Sequence, residues 1–524
     1  MGEKESLKGL AVEVLKRSVS PRDPYEVAAL LESMGWTDEQ AASAFGREDV
    51  FGLARDVFEL CTQSVTTRPV AKEPRLSFFA VLWNYVNGYL RGMMFAMPMA
   101  VSIFTVLTIR YSLWSYVYFS VEVATAIALG TIGSLLVTGG FCQAIARRGL
   151  MYVTQNEYNL ARRFSFLAIR LGLIVVILVG LAVFIFNLIF TVFPMKMMSI
   201  CLYYYFFLSC LWLTIAVLYM LRRELLFTGM IVLGIVMVFL MHEYLKMDIM
   251  VSQAIGLSAA AILAVVVVSW LFRRYERPVE PGIEVPPIPR TSIVVYTVMP
   301  YFVYGFLYFA LLCTDRIVAW SANSVFMPYL IWFRGQYELG LDWALLALIL
   351  PMGVVEVLIN NFWFNVPVKQ KSFSASNTAR FNRVQVSAYY RQRALYGAIA
   401  VLSGLLVYLG TRFLETSGIL DLYLFSDRVT YFVFTWGIVG YVFLTAGLLN
   451  ALYLFSLSRP EPVVRATAYG VAANLFVGFV LSRIVEYHWA VLGLVAGAAV
   501  FFAFTTVYAV KSLGALDYYL YYLT

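Results

Sequence analysis

An all-α polytopic membrane protein, with about twelve transmembrane helices in two sets of six, is the fold class this sequence predicts. Three observations carry the prediction. Of the 524 residues, 61% are hydrophobic and only 13% are charged. Apolar runs of roughly 20 residues or more, long enough to cross ~30 Å of hydrocarbon as helices, recur along the chain. A charged, proline-rich stretch divides those runs at their middle. Lipid is therefore the solvent for most of the protein.

Residues 1–76 come first and differ in kind, with thirteen acidic and ten basic side chains and no uninterrupted apolar core. No cleavable signal peptide is expected from such a segment. Short helical patterns at about 6–18, 24–34, 38–45 and 48–61 are punctuated by Pro21, Pro24, Gly35 and Gly46. Residues 24–61, with a Met34-Gly35-Trp36 turn, resemble the three-helix ubiquitin-associated fold. A small cytoplasmic docking or folding module is the expectation.

The first half, 77–273, holds predicted spans at 79–108, 113–146, 161–192, 196–221, 224–245 and 250–273. A stretch rich in proline and charge, 274–291, follows as a stiff extended linker. The second half, 292–524, holds spans at 292–316, 340–366, 392–413, 428–457, 464–485 and 487–511. Pro98 in span one and Pro300 in span seven form corresponding Met-Pro pairs, so the first helix of each half is expected to kink.

Charges in the connections set the topology. Arg147, Arg148, Arg162 and Arg163 follow span two, Arg222 and Arg223 span four, and Arg273, Arg274, Arg277 and Arg290 span six. Lys369, Lys371, Arg380, Arg383, Arg391 and Arg393 follow span eight, and Arg459 and Arg465 span ten. Odd-numbered connections hold far fewer, chiefly Arg110, Lys196, Lys246, Arg334 and Arg412. The positive-inside rule then puts the even connections and both termini in the cytoplasm.

Removing the leader from the totals of 39 basic and 31 acidic residues leaves 29 and 18, so the membrane part carries +11 against −3 for the leader and accounts for the positive net charge of +8. Such an excess reports topology and gives no reason to expect a nucleic-acid partner. Cys61, Cys142, Cys201, Cys210 and Cys313 lie far apart, which suggests neither disulfides nor a metal site. With His242 and His488 the only histidines and no glycine-rich phosphate loop, hydrolytic or nucleotide-driven chemistry is not expected, nor is a cofactor.

Ionisable residues at membrane depth usually face a cavity or one another. Here they are Arg91, Glu122, Arg170, Asp315, Arg316 and Glu356, with Arg483 and Glu486 near a span end. Arg91 is explained by an interfacial helix from which its side chain snorkels. Asp315 and Arg316 follow roughly 24 apolar residues, ~36 Å of helix, and so fall near the outer leaflet. Adjacent helical residues point about 100° apart, so the two should face different neighbours. They read either as an anchor tying span seven to a neighbour or as the lining or gate of a substrate path. Glu356, with Asn360 and Asn361 one turn on, is a second candidate for that path, because its carboxylate needs a proton or a partner. Glu122 and Arg170 either line a cavity or neutralise one another.

The second half, through "PYFVYGFLYFALLCTDRIVAW" and "YELGLDWALLALILPMGVVEVLINNFWF", resembles the Pel exopolysaccharide transporter (PelG) family. That family lies within the multidrug, oligosaccharidyl-lipid and polysaccharide (MOP) exporter superfamily. Asp315, Arg316 and Trp320 match its acid, base and aromatic stretch, and Pro351 matches the proline ending its next aliphatic run. In the first half "LLVTGGFCQAIARR" is similar through Thr138, Gly139, Gln143 and Arg147, with Gly140 where the family has proline. The closing "VKSLGALDYYLYYLT" also resembles the family, whereas 1–76 departs from it.

The resemblance implies a MOP-flippase-like fold, an N-lobe of helices 1–6 and a C-lobe of helices 7–12 around a central cavity. It implies an inner-membrane exporter of an exopolysaccharide or lipid-linked saccharide, beside a cytoplasmic glycosyltransferase and other export-complex subunits. Glu356 is then the candidate coupling or substrate carboxylate. A membrane glycosyltransferase or polymerase acting on lipid-linked sugars, and a nonenzymatic scaffold that docks the synthase, are the alternatives. The G-x-x-x-D-R-x-G-R-R loop of major-facilitator carriers is missing after span two.

Overall fold

The computed structural model describes residues 2–17, 21, 23–67, 78–94, 96–275, 290–322, 329–373, 378–418 and 427–523. Most of the linker expected at 274–291 lies outside them. The chain divides into two compact units, Met1–Asn84 and Tyr85–Thr524.

The first unit contains α1 (Gly2–Arg17), α2 (Pro24–Ser33), α3 (Asp38–Phe45) and α4 (Val50–Thr67). Local chemistry sets each boundary. The Asp23 carboxylate accepts the Glu26 N–H at 2.8 Å, ahead of a proline in the first turn of α2. Thr37 and Gln40 form a reciprocal capping box at the start of α3. Gly46, at φ +63, ends α3 in the left-handed region, where a Cβ is costly. Val14, Val27, Leu31, Leu53 and Val57 are completely buried and form the core, while Trp36 packs against Phe45 with ring centroids 5.4 Å apart.

The membrane unit begins within α5 (Phe78–Met94), which α6 (Met97–Ile109) follows. The two form a span bent by 55°, with Pro98 in the first turn of α6. α7 (Val121–Ala144) runs through a π-helical turn at Ile145–Gly149 into α8 (Leu150–Thr154). α9 (Tyr158–Phe190), α10 (Met195–Met220), α11 (Glu224–Phe239) and α12 (Ile249–Tyr275) complete the first half of the membrane unit, labelled the N-lobe, as the second half is labelled the C-lobe. Its core centres on α10, whose Leu208, Leu211, Val217 and Leu218 are completely buried. The Gln253 amide on α12 donates to the Ser112 and Ser115 carbonyls at 2.9 and 2.8 Å, pinning the turn between α6 and α7.

The C-lobe holds α13 (Thr291–Trp320), α14 (Gly335–Leu345), α15 (Ile349–Ser372), α16 (Thr378–Thr416), α17 (Arg428–Ser456), α18 (Pro460–Ile484) and α19 (Val491–Leu513), closed by α20 (Leu516–Leu523). α14 and α15 form one crossing through a short 3₁₀ turn at Leu346–Leu348. Leu311, Phe434, Tyr441 and Phe501, all completely buried, tie α13, α17 and α19 together.

Among the described residues eleven helices are long and apolar enough to cross a membrane, and the bent pair makes twelve. Pro300 lies inside α13, which runs through it without interruption. One sequence boundary is corrected. Span nine, expected at 392–413, belongs to a helix that starts at Thr378. That extension escapes a hydropathy window because it carries Arg380, Arg383 and Arg391, yet it buries Phe381, Gln385 and Tyr389 at a spacing of four.

α7 and α13 join the lobes. A Cβ on Gly139 would lie 2.7 Å from the Gly305 carbonyl oxygen, and one on Gly140 would meet the Phe302 ring at 2.7 Å. Glycine is what lets these two backbones touch.

Candidate functional site

Where α13 approaches its C-terminal end, the protein buries a charged cluster. Asp315 is completely buried, and one of its oxygens accepts a 2.7 Å hydrogen bond from the Tyr337 hydroxyl of α14. Its other oxygen, Oδ1, has no hydrogen-bond partner among the described residues. Arg316 turns to a different neighbour and forms an ion pair with Glu338 of α14, with Asp342 of the same helix 3.7 Å from the guanidinium. Trp320, one turn further along α13, donates its indole N–H to the other Glu338 oxygen at 3.0 Å.

Helix geometry explains the arrangement. Arg316 and Trp320 are four residues apart, so both reach one carboxylate, and Glu338 and Asp342 repeat that spacing on α14. Glu338, buried, and Asp342, half exposed, thus both stand beside one guanidinium, while Asp315 faces Tyr337. Buried charge is costly unless each member is paired and hydrogen-bonded. From α18, Arg483 donates to the Val318 carbonyl at 3.1 Å and to the Ser321 hydroxyl at 2.8 Å, placing a cation at the C-terminal end of α13.

Three of the residues matched by family resemblance, Gly139, Gln143 and Arg147, lie along the junction of the lobes. Thr138 bonds back to the Ser134 carbonyl at 2.7 Å, while Gly139 and the Gln143 side chain meet Gly305. Arg147 crosses to the C-lobe, donating to the Ser458 hydroxyl at 2.9 Å and lying 5.0 Å from the centre of the Tyr301 ring. Near the opposite end of the same helices, the Phe333 N–H donates to the Thr125 hydroxyl at 3.0 Å. The lobes therefore touch at both ends of α7. Pro351 is buried in the first turn of α15.

The remaining predicted residues are scattered. Glu356 is half-buried on α15 and accepts from the Asn360 amide at 3.1 Å. A Cβ on Gly92 of α5 would meet the Glu356 Cβ at 2.9 Å, so this carboxylate sits where span one crosses span eight. Asn361 lines a cavity further along α15. Glu122 is exposed in the first turn of α7, and Arg170 is exposed on α9. No ion pair links them among the described residues.

Sequence reasoning missed Tyr337, Glu338, Asp342 and the buried Tyr441. The signal was present in "YELGLDW": a glutamate and an aspartate one turn apart, opposite the Asp-Arg pair of the preceding span. Starting span eight at residue 340 left Glu338 in a connection. Among the described residues no group of three or more side chains has metal-ligating geometry.

The arrangement of these helices has solved counterparts. A variant of the Vibrio cholerae MATE transporter VcmN superposes with a TM-score of 0.53 at 14% identity, covering 84% of this chain and 98% of that one. An outward-facing multidrug resistance MATE family transporter of the MOP superfamily gives 0.51 at 14% identity, covering 82% and 96%. This protein has a MATE-like fold. A further MATE structure, a proline-to-alanine mutant, gives 0.51 at 15% identity and the same 82% and 96% coverage. No family model matches the chain, and no curated protein matches its sequence. The charged cluster lies where α13 meets α14, and the motif glycines where α7 meets α13.

Proposed function

We propose that this protein exports an exopolysaccharide or a lipid-linked saccharide across the bacterial inner membrane, with both termini in the cytoplasm. The observation that carries the reading is the coincidence of two independent signals. Residues that resemble the Pel transporter family, Gly139, Gln143 and Arg147, lie where the two lobes of a MATE-like fold meet.

Lobe opening requires contacts that part at one end while the other end stays closed. Arg147 with Ser458 and Tyr301 closes the end that carries the basic connections, and Thr125 with Phe333 closes the opposite one. The glycine contact between α7 and α13 lies between these closures and serves as the pivot. A cytoplasmic glycosyltransferase supplies the saccharide. The Asp315 and Arg316 cluster gates the outer end, and its excess of carboxylates over guanidinium suits it to take up an ion as the lobes move.

The test is the distribution of polysaccharide in the native host with the gene intact, deleted and restored. Loss of surface polymer while enzyme and precursor persist inside is the expected outcome. Unchanged pools of unchanged composition would sink the saccharide assignment.

A further inference from the structure

A cavity of about 320 Å³ opens between α15 and α16, on the parts of those helices next to their basic connection. That is within the size range of small-molecule sites. Carboxamides dominate its polar lining: Asn361 and Asn365 from α15, and Gln385 and Gln392 from α16. Lys369 and Arg391 add two cations, and none of the ten lining residues is acidic.

Neighbouring side chains hold this lining in place. Gln392 accepts the Tyr453 hydroxyl of α17 at 2.5 Å through its Oε1, so its N–H₂ remains as donor. Tyr389, which also lines the cavity, donates its hydroxyl to Asn450 of α17 at 2.6 Å. The decisive group is Gln385. It is only 5% exposed, it lines the cavity, and its Nε2 has no hydrogen-bond partner among the described residues. A buried amide donor left unpaired is destabilising, and a ligand oxygen would satisfy it.

We propose that this cavity binds a phosphorylated sugar. Carboxamides both donate to and accept from hydroxyls, which suits a ligand dense in them. The lysine and arginine match a phosphate, and the absence of any carboxylate leaves no group to repel it. The Tyr389 ring supplies an apolar face for a pyranose. The assignment rests on the cavity and not on export, so the two stand or fall separately.

The test uses the full chain purified into phosphatidylcholine nanodiscs and titrated with glucose 1-phosphate by calorimetry. Saturable binding is expected, at least tenfold tighter than that of glucose or inorganic phosphate alone. Gln385→Leu and Lys369→Met should each weaken it at least tenfold. Gln385→Glu, which keeps the shape and adds a repelling charge, should do the same. An isoprenoid-linked sugar phosphate in the same discs tells the sources apart: displacement of the probe supports the site with a lipid-borne ligand, and lack of displacement supports it with a soluble one. Absence of saturable binding, unchanged binding in Gln385→Leu and Gln385→Glu, or equally strong displacement by phosphatidylglycerol would overturn the proposal. Intact binding in a host whose polymer export is unaffected by deletion would sink the export reading and leave this site standing.

Discussion

Span one of the N-lobe and span seven of the C-lobe each carry a Met-Pro pair, yet one breaks into α5 and α6 at 55° and the other continues as the single helix α13. Position within the helix accounts for part of the difference. Pro98 sits in the first turn of α6, where no intrahelical N–H bond is lost, whereas Pro300 lies in a helix interior. Packing accounts for more. α13 lies against α7 along one side and α18 along another, and Gly305 admits the α7 backbone to contact. Of the ionisable residues singled out at membrane depth, Arg91, Glu122 and Arg170 of the N-lobe are exposed, while Asp315 of the C-lobe is completely buried beside the buried Glu338; Glu224 is a buried carboxylate of the N-lobe. A helix gripped by its neighbours can carry interior charge, and that charge in turn fixes the end of α13.

The sharpest way to break this comparison is to remove one cation from each lobe. Arg316→Leu leaves the buried Glu338 without its cation and is expected to cost about 3–5 kcal/mol. Arg170→Leu, at an exposed position, should stay within about 0.5 kcal/mol. Thermal unfolding of the purified proteins measures both, and equal effects would erase the distinction between the lobes. Next in size are the neutral substitutions Asp315→Asn and Glu356→Gln, expected to lower polymer export several-fold at matched membrane abundance. Normal export by both variants would remove these residues from the transport path. The smallest effect concerns the prolines. Pro300→Ala restores an interior helix bond and is expected to stabilise by about 1–3 kcal/mol, whereas Pro98→Ala should change stability by less than about 0.5 kcal/mol. The reverse order would show that the break in span one depends on its proline.

Much of the fold was legible because apolar run length is a strong local signal. Spans two to six fall close to α7, α9, α10, α11 and α12. What escaped was polar helix. Residues 378–391 read as a connection because they carry three arginines, although Phe381, Gln385 and Tyr389 bury one face. The cavity was hidden with them, since two of its four carboxamides lie on α16. In the charged cluster Asp315, Arg316 and Trp320 were visible as a motif, but their partners depend on how α14 meets α13, which no local pattern encodes. Gly139 was visible only as a motif letter, because the close approach it permits is a property of two helices.

The most direct test of lobe opening is to tie the lobes together at their outer contact. Thr125→Cys and Phe333→Cys, in a background whose five native cysteines are replaced, can be bridged by a short reducible thiol cross-linker. Bridging is predicted to stop export of surface polymer, and cleavage of the bridge should restore it. Normal export with the bridge formed quantitatively would contradict lobe opening as the mechanism.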